Sequence, residues 1–298
     1  MRGQQPLRII AAAIAFLPAC AAECCRDSVA IVESLAGQAS VQSPDSHARA
    51  PVAGLEWLTA GATIQVGAKS TVVVILLNGH RYELASGAQA TIAAEALTNT
   101  RGSIRELKPL PPLPQLAPMV DDSIATSAAV RVRGASEIRN LYPREGMAAL
   151  ADSATLTFSS ISEARTYYEV VLTDQLGERI ARYSTAETSL KISAGTLRPG
   201  AHYSWRVRAI GPIGVVGQGA ASFITISEQD VERRAEFARA LEELGPVRSS
   251  ALLGDLDLHL GLLYEAQQEL EAALRRKPDH AIQHALELVH AALAERTP

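Results

Sequence analysis

The sequence predicts a multi-domain, mainly β protein in which two β domains precede a C-terminal all-α segment of helical-repeat type. Three observations predict this. A chain of 298 residues is long enough for two domains at about 150 residues each, or for three compact ones. Short apolar runs with a period of two, separated by Gly-containing turns, fill residues 29–107 and again residues 141–226. From Ser227 onward Ala, Glu, Arg and Leu dominate at helical spacing. With 47% apolar and 20% charged residues, the chain has the composition of one that buries a core.

Composition also removes function classes. The 28 Lys and Arg stand against 32 Asp and Glu, a formal charge of -4, which offers no general attraction for a polyanionic backbone and argues against nucleic acid as a partner. Beyond the N-terminus no run approaches the roughly 20 apolar residues of a spanning helix, so a membrane association is expected only at that end.

Arg2 and Arg8 precede the apolar run Ile9–Leu17, and the small residues Ala19, Ala21 and Ala22 follow at cleavage distance. This order predicts an export signal over residues 1–22. Its removal takes two Arg and leaves 26 basic against 32 acidic residues. All three cysteines, Cys20, Cys24 and Cys25, lie at this junction, so no disulfide framework is expected to hold the domains. Leu17-Pro18-Ala19-Cys20 resembles a bacterial lipobox, which makes Cys20 a candidate lipidation site. The other route is cleavage after Ala21 or Ala22, leaving Cys24-Cys25 near the new terminus. The two routes predict a lipid-anchored protein or a periplasmic one.

Residues 26–107 form the first expected β domain. The run Val72–Leu77 is apolar at every position, which requires cover on both faces and places it at the centre of the module. Asn78-Gly79 follows and predicts a type I′ hairpin, with His80, Tyr82 and Leu84 alternating against Arg81 and Glu83. The stretches Val32–Val41, Trp57–Gly61 and Leu77–Leu84 together resemble the FecR-type β domain of bacterial envelope proteins. The resemblance covers about 80 residues, and Ala62 stands where the family usually has Asp. No transmembrane signalling role is carried over, because the chain lacks the spanning helix and cytoplasmic segment of the signalling members.

Residues 108–140 read as a Pro-rich linker, with five prolines between Lys108 and Val120 that favour extended polyproline II backbone, and an expected strand at Ala129–Arg133. Residues 141–226 carry six expected strands, 154–158, 167–173, 179–184, 189–192, 202–210 and 221–226, the pattern of a sandwich. Tyr203, Trp205, Val207 and Ala209 share one face while Ser204, Arg206 and Arg208 share the other. Leu197 six residues before Tyr203, with Pro199-Gly200 between, resembles the tyrosine corner of fibronectin type III domains. That resemblance implies a bond from the Tyr203 hydroxyl to upstream backbone. The Gly-rich run Gly211–Gly219 is expected to be a hairpin loop.

Residues 227–298 form the expected helical segment. Ser227 can cap a helix running to Leu244, and Gly245-Pro246 ends it. Leu256, Leu258, Leu260 and Leu262 alternate with polar residues at strand period, yet no β-branched residue is present and helix is expected. Gly254, Gly261, Ala266, Leu270, Ala273 and Pro278 make residues 247–280 similar to a tetratricopeptide repeat. A last helix presents Ile282, Leu286, Val289 and Leu293 on one side.

No catalytic motif emerges, so the chain is expected to be non-enzymatic, without cofactor or metal. His280, His284 and Glu287 lie opposite the last apolar stripe and read as a solvated face; Asp255 and His259 read as a surface pair. Trp57, Tyr203 and Trp205 read as core aromatics, with a sugar platform as the alternative use. The expected function is that of an exported envelope protein that binds or scaffolds partner proteins or peptides through its helical and β surfaces. The alternative is a cell-wall or polysaccharide-binding module. One repeat is too few to satisfy its own apolar surface. Leu256, Leu258, Leu260 and Leu262 are therefore the expected partner-binding residues, covered by a peptide or by a second copy through self-association.

Overall fold

Ten short strands build the first β domain: β1 (Ser28–Ala36), β2 (Ala39–Gln42), β3 (Ala50–Pro51), β4 (Trp57–Thr59), β5 (Thr63–Val66), β6 (Thr71–Leu76), β7 (Arg81–Leu84), β8 (Gln89–Ile92), β9 (Leu97–Arg101) and β10 (Ile104–Leu107). This is a computed structural model that describes residues 28–46, 48–114, 136–145, 147–161 and 166–294. The expected export signal, the three cysteines with Cys20 among them, and the expected strand at 129–133 lie outside the described residues. The strands pair antiparallel in two five-stranded sheets of order β10-β7-β6-β1-β4 and β3-β2-β5-β8-β9. Ala30, Val32, Val72, Val74 and Leu76 of the first sheet pack against Val41, Ile64, Val66, Ala90 and Ile92 of the second.

β6 is the central strand, as its unbroken apolar run requires. Its even-numbered residues face the sandwich core, and Ile75 on the other face joins a separate apolar cluster with Ile31 of β1. The turn after β6 differs from the expected type I′. Gly79 N–H donates to Leu76 O at 2.9 Å, which puts Leu77 and Asn78 at the centre of the turn and leaves Gly79 alone at positive φ, 89°. The Asn78 side chain caps this turn by accepting from His80 N–H at 3.1 Å, a bond that a right-handed Asn can make.

The Pro-rich stretch does not begin as a free linker. Leu110 N–H donates to Gly79 O at 2.9 Å and Leu113 N–H to Leu77 O at 2.8 Å, so residues 108–114 strap the β6–β7 turn. Leu113 is buried.

The second β domain comprises β11 (Ser136–Glu137), β12 (Ala148–Ala149), β13 (Thr155–Thr157), β14 (Tyr167–Asp174), β15 (Arg179–Thr185), β16 (Ser189–Lys191), β17 (His202–Gly211) and β18 (Gly214–Thr225). A six-stranded sheet, in order β11-β18-β17-β14-β15 with β12 also on β18, packs against the small β13-β16 sheet. Tyr168, Val170, Leu172, Tyr203, Trp205, Val207 and Ala209 meet Leu156, Phe158 and Ile192 between them. The Tyr203 hydroxyl accepts from Arg198 N–H at 2.7 Å, the upstream backbone bond expected of it. The Gly-rich run is mostly strand: only Pro212 and Ile213 form the hairpin turn, and the following glycines lie in β18.

Four helices close the chain: α1 (Glu228–Leu241), α2 (Pro246–His259), α3 (Leu263–Arg276) and α4 (His280–Ala294). Ser227 Oγ accepts from Asp230 N–H at 3.1 Å and so caps α1, satisfying one of the orphan amides of the first turn. A 3₁₀ turn at Glu242–Leu244 ends at Gly245, and Pro246 opens α2, where its missing N–H costs nothing. The alternating Leu stretch is helical, with α2 ending at His259 and the turn passing through Gly261 at φ 71°. Gly254 lets α2 and α3 approach closely, because a Cβ there would stand 2.8 Å from Leu270 Cγ.

Gly79→Val is expected to destabilise the protein by about 3 kcal/mol, because a β-branched residue meets positive φ and its Cβ would lie 2.0 Å from Leu110 O. Urea unfolding of the variant checks this; a loss below about 0.5 kcal/mol would show that neither the turn nor the strap is rigid.

Candidate functional site

The chemistry-bearing residues of this chain converge on α2, and they do so where α2 meets the first β domain. Ile31, Ile75 and Leu113 pack against Phe237, Leu241, Leu252, Leu253 and Leu256 in one cluster, which Ala148 and Ile226 extend to the second β domain. All three parts of the chain therefore share one apolar core. Polar pairs edge it. Trp57 Nε1–H donates to Asp255 Oδ2 at 2.7 Å, and the Trp57 ring stacks on His259 with centroids 3.9 Å apart and planes at 12°. Glu33, its side chain fully buried, accepts from Arg81 Nε at 2.5 Å and Nη2 at 2.8 Å, and from Arg248 of α2 at 3.4 Å.

Burial sets the protonation of these groups. It pushes the Asp255 carboxyl up to about 8, only partly opposed by the Trp57 hydrogen bond, so the group is neutral at pH 7. Burial also lowers His259 to about 4, and its Nδ1 is enclosed without a hydrogen-bond partner, so this imidazole is neutral as well. Two neutral groups stacked and bonded to an indole join the domains without stranding a charge.

The other side of α2 holds a charged pair. Asp257, fully buried, accepts from Arg234 Nε and Nη2, both at 2.6 Å. Burial raises Asp257 to about 6 while the guanidinium opposes it, which keeps the pair ionised at pH 7. Glu265 is raised to about 7, first by burial, and its Oε2 is enclosed without a hydrogen-bond partner. Tyr142 of the second β domain accepts from Tyr264 N–H at 3.1 Å, and burial raises its hydroxyl further beyond the usual phenol range. The Arg234–Asp257 pair thus binds α1 to α2, and the Tyr142 hydroxyl binds the second sandwich to α3.

The expected partner-binding residues are placed differently from the expectation. Leu256, Leu260 and Leu262 are at most 1% exposed within the shared core, and Leu258 is half-buried against the α3–α4 cluster. The reason is physical: the β1–β6 face carries Ile31 and Ile75 and needs cover as much as the apolar side of the helices does. Each supplies the other's missing layer, so neither a peptide nor a second copy is needed on those leucines. Asp255 and His259 are also not a surface pair; sequence spacing put them on one helical turn but could not show that Trp57 closes over them. Tyr203 and Trp205 are buried core aromatics, with Trp205 Nε1–H bonded to Pro143 O at 2.8 Å, and Trp57 is half-buried against the shared core with one ring face taken up by His259. His280, His284 and Glu287 line the exposed side of α4, where His284 and Glu287 stand 4.0 Å apart.

Among the described residues no cluster of three or more His, Cys, Asp or Glu has a geometry for a metal ion. One cleft, about 920 Å³ and open to solvent, runs beside Leu77 and Leu113 and carries Asp45, Glu95 and Arg233 as its titratable groups. Among the described residues no helix is long and apolar enough to cross a membrane.

No family model matches the chain, and no curated protein matches it in sequence. Three solved structures show distant likeness. CopC from Methylosinus trichosporium OB3b is 18% identical with a TM-score of 0.25, over 31% of this chain and 95% of that one. The FN1–FN3 domains of chicken CNTN1 are 13% identical with a TM-score of 0.23, over 67% of this chain and 63% of that one. An FMN-binding β-glucuronidase from Faecalibacterium prausnitzii L2-6 is 12% identical with a TM-score of 0.26, over 90% of this chain and 62% of that one. At these scores none bears on function, and the β-sandwich description rests on the sheets themselves.

Two measurements test the seam. Asp255 keeps its proton up to about pH 8 when folded and loses it near 3.8 when unfolded, so its contribution to stability is lost as pH rises between those values. His259, held near 4 against an ordinary 6.5, acts oppositely and loses stability as pH falls from 6.5 to 4. The two slopes oppose each other below pH 6.5; the Asp257 and Glu265 carboxyls, raised to about 6 and about 7, add to the decline below those values, and Asp255 dominates between about 7 and 8. Asp255→Asn is therefore expected to flatten the decline in unfolding free energy over pH 6.5–8 by up to about 1.4 kcal/mol per unit; an unchanged slope would place the proton elsewhere. Deleting residues 228–298 is expected to expose Ile31 and Ile75 and make the remaining β domains aggregate, read by light scattering; a monodisperse, folded product would show that the first sandwich does not need the helices.

Proposed function

We propose that this chain is a non-enzymatic, exported envelope protein that scaffolds partner proteins, built from a FecR-like β domain, a fibronectin type III-like sandwich and a tetratricopeptide-like helical end. The observation that carries the reading is the single apolar cluster shared by all three parts, with Ile31 and Ile75 from the first, Ile226 from the second and Leu252, Leu253 and Leu256 from the helices. Such a core makes one rigid body of three modules, because relative motion would expose buried apolar area at about 25 cal/mol per Å². A rigid body with several sheet faces and a helix surface holds partners at fixed separations. Titratable groups drawn into its interior serve this docking: Asp255 is bonded to the Trp57 indole and Glu33 to the Arg248 guanidinium across the boundary between the first β domain and the helices, while Asp257 and Arg234 tie two helices together.

Export is supported by the N-terminal order of basic, apolar and small residues, and anchoring by Cys20 at the cleavage junction. Firm retention at a membrane needs more than one acyl chain, which a bacterial lipoprotein carries.

Intact mass of the exported protein tests compartment and anchor together. A mature start at Cys20 with added lipid supports the anchored form, a start at Ala22 or Glu23 gives the periplasmic form, and an intact Met1 overturns export. In parallel, cross-linking in the envelope followed by peptide identification is expected to return reproducible protein neighbours. Retention by isolated wall polymer without such neighbours would favour the polysaccharide-binding alternative.

A further inference from the structure

The outer face of the six-stranded sheet in the second β domain has a charge unlike that of the chain as a whole. Side chains alternate along a strand, and Tyr203, Trp205, Val207 and Ala209 point inward, so His202, Ser204, Arg206 and Arg208 point out. The register carries this across the sheet. Arg182 of β15 lies level with Val171 of β14 and Arg206 of β17; Ser184, Glu169 and Arg208 form the next row, and Arg179 stands opposite Thr173. Small or polar residues, Ala220, Gln218 and Ser222 of β18, continue the same rows.

Four arginines thus share one face with a single carboxylate between them, Glu169, and Arg182 already binds it. Glu137, at the far edge, is paired with Arg139 at 3.5 Å. Among the described residues no carboxylate lies within ion-pair distance of Arg179, Arg206 or Arg208. In a chain of net charge -4 this is a local excess of cation with unspent guanidinium donors. The spacing suits a particular ligand. Arg206 and Arg208 are two residues apart on one strand, about 6.8 Å, the repeat at which an extended peptide presents alternate side chains. Ala220 and Ser222 on the neighbouring β18 leave room beside Arg206 for such a backbone, and a guanidinium fork matches a carboxylate in two bonds.

We propose that this arginine face, Arg179, Arg182, Arg206 and Arg208, docks an extended acidic segment of a partner protein. The proposal rests on the scaffold reading above and names the chemistry of one partner.

The test uses the full chain and a labelled synthetic peptide of alternating Glu and Ser, with a Lys and Ser peptide as its counterpart, read by fluorescence anisotropy. Arg206→Glu with Arg208→Glu is expected to weaken the acidic peptide by about tenfold or more. Arg49→Glu with Arg101→Glu makes the same charge change on exposed positions of the first β domain, and is expected to leave binding within about twofold. Thermal unfolding verifies that both double variants fold; Arg206, Arg49 and Arg101 are exposed and Arg208 is half-buried on the outer face. Absence of saturable binding, equal loss in both double variants, or binding of polygalacturonate with no binding of the peptide each overturns the proposal. Cross-linked protein neighbours that persist in Arg206→Glu, Arg208→Glu while the peptide fails to bind would keep the scaffold reading and remove this face from it.

Discussion

A β-strand that is apolar on both faces must be covered twice, and the architecture of this protein follows from that requirement at β1 and β6. One face of the pair closes the first sandwich through Val32, Val72, Val74 and Leu76. The other presents Ile31 and Ile75, which no second sheet of the same domain can reach. Leu113 from the strap and the leucines of α2 fill that space, and with them the helical segment is fastened to the sandwich. The helices have the complementary deficit, an apolar layer on α1 and α2 that they do not cover themselves. The two shortages cancel.

Around that apolar contact the polar groups decide orientation. Apolar burial is non-directional and would tolerate rotation of α2 on the sheet. The Trp57–Asp255 bond, the Trp57–His259 stack and the Glu33 carboxylate between Arg81 and Arg248 each have a fixed geometry. Their protonation suits the site: Asp255 and His259, which lack an opposite charge, are neutral at pH 7, whereas Asp257 keeps its charge beside Arg234. A buried charge is tolerable when a bidentate partner is fixed beside it and is otherwise discharged by a pKa shift. Both outcomes occur on one helix within three residues.

The same logic separates interior from surface chemistry. Asp255 and His259, two of the acidic and imidazole groups that the sequence offers as candidates, are consumed in holding domains together, whereas His280, His284 and Glu287 stay on the exposed side of α4. The arginines of the second sandwich are left on a solvated sheet face with few acids to satisfy them.

Sequence by itself determined the local elements and their order. Period two gave the strands and their buried sides, so Tyr203 and Trp205 on one face and Arg206 and Arg208 on the other were legible from alternation alone. The Ser227 cap, the Gly245-Pro246 stop and the helix through Leu256–His259 were legible too, because capping, proline and propensity act within a few residues. Only the tertiary structure decided what covers what. The apolar run at 72–77 announced a need for two covers but could not name the second, since Ile75 and Leu256 are about 180 residues apart and apolar contact carries no address. For the same reason Leu256, Leu260 and Leu262 looked like a docking surface. Asp255 and His259 looked like a solvated pair because Trp57, which closes over them, comes from β4. The turn at Asn78-Gly79 was misjudged in type for a related reason: the strap of residues 108–114, which fixes Gly79 through Leu110, lies 30 residues downstream and is invisible to a two-residue rule.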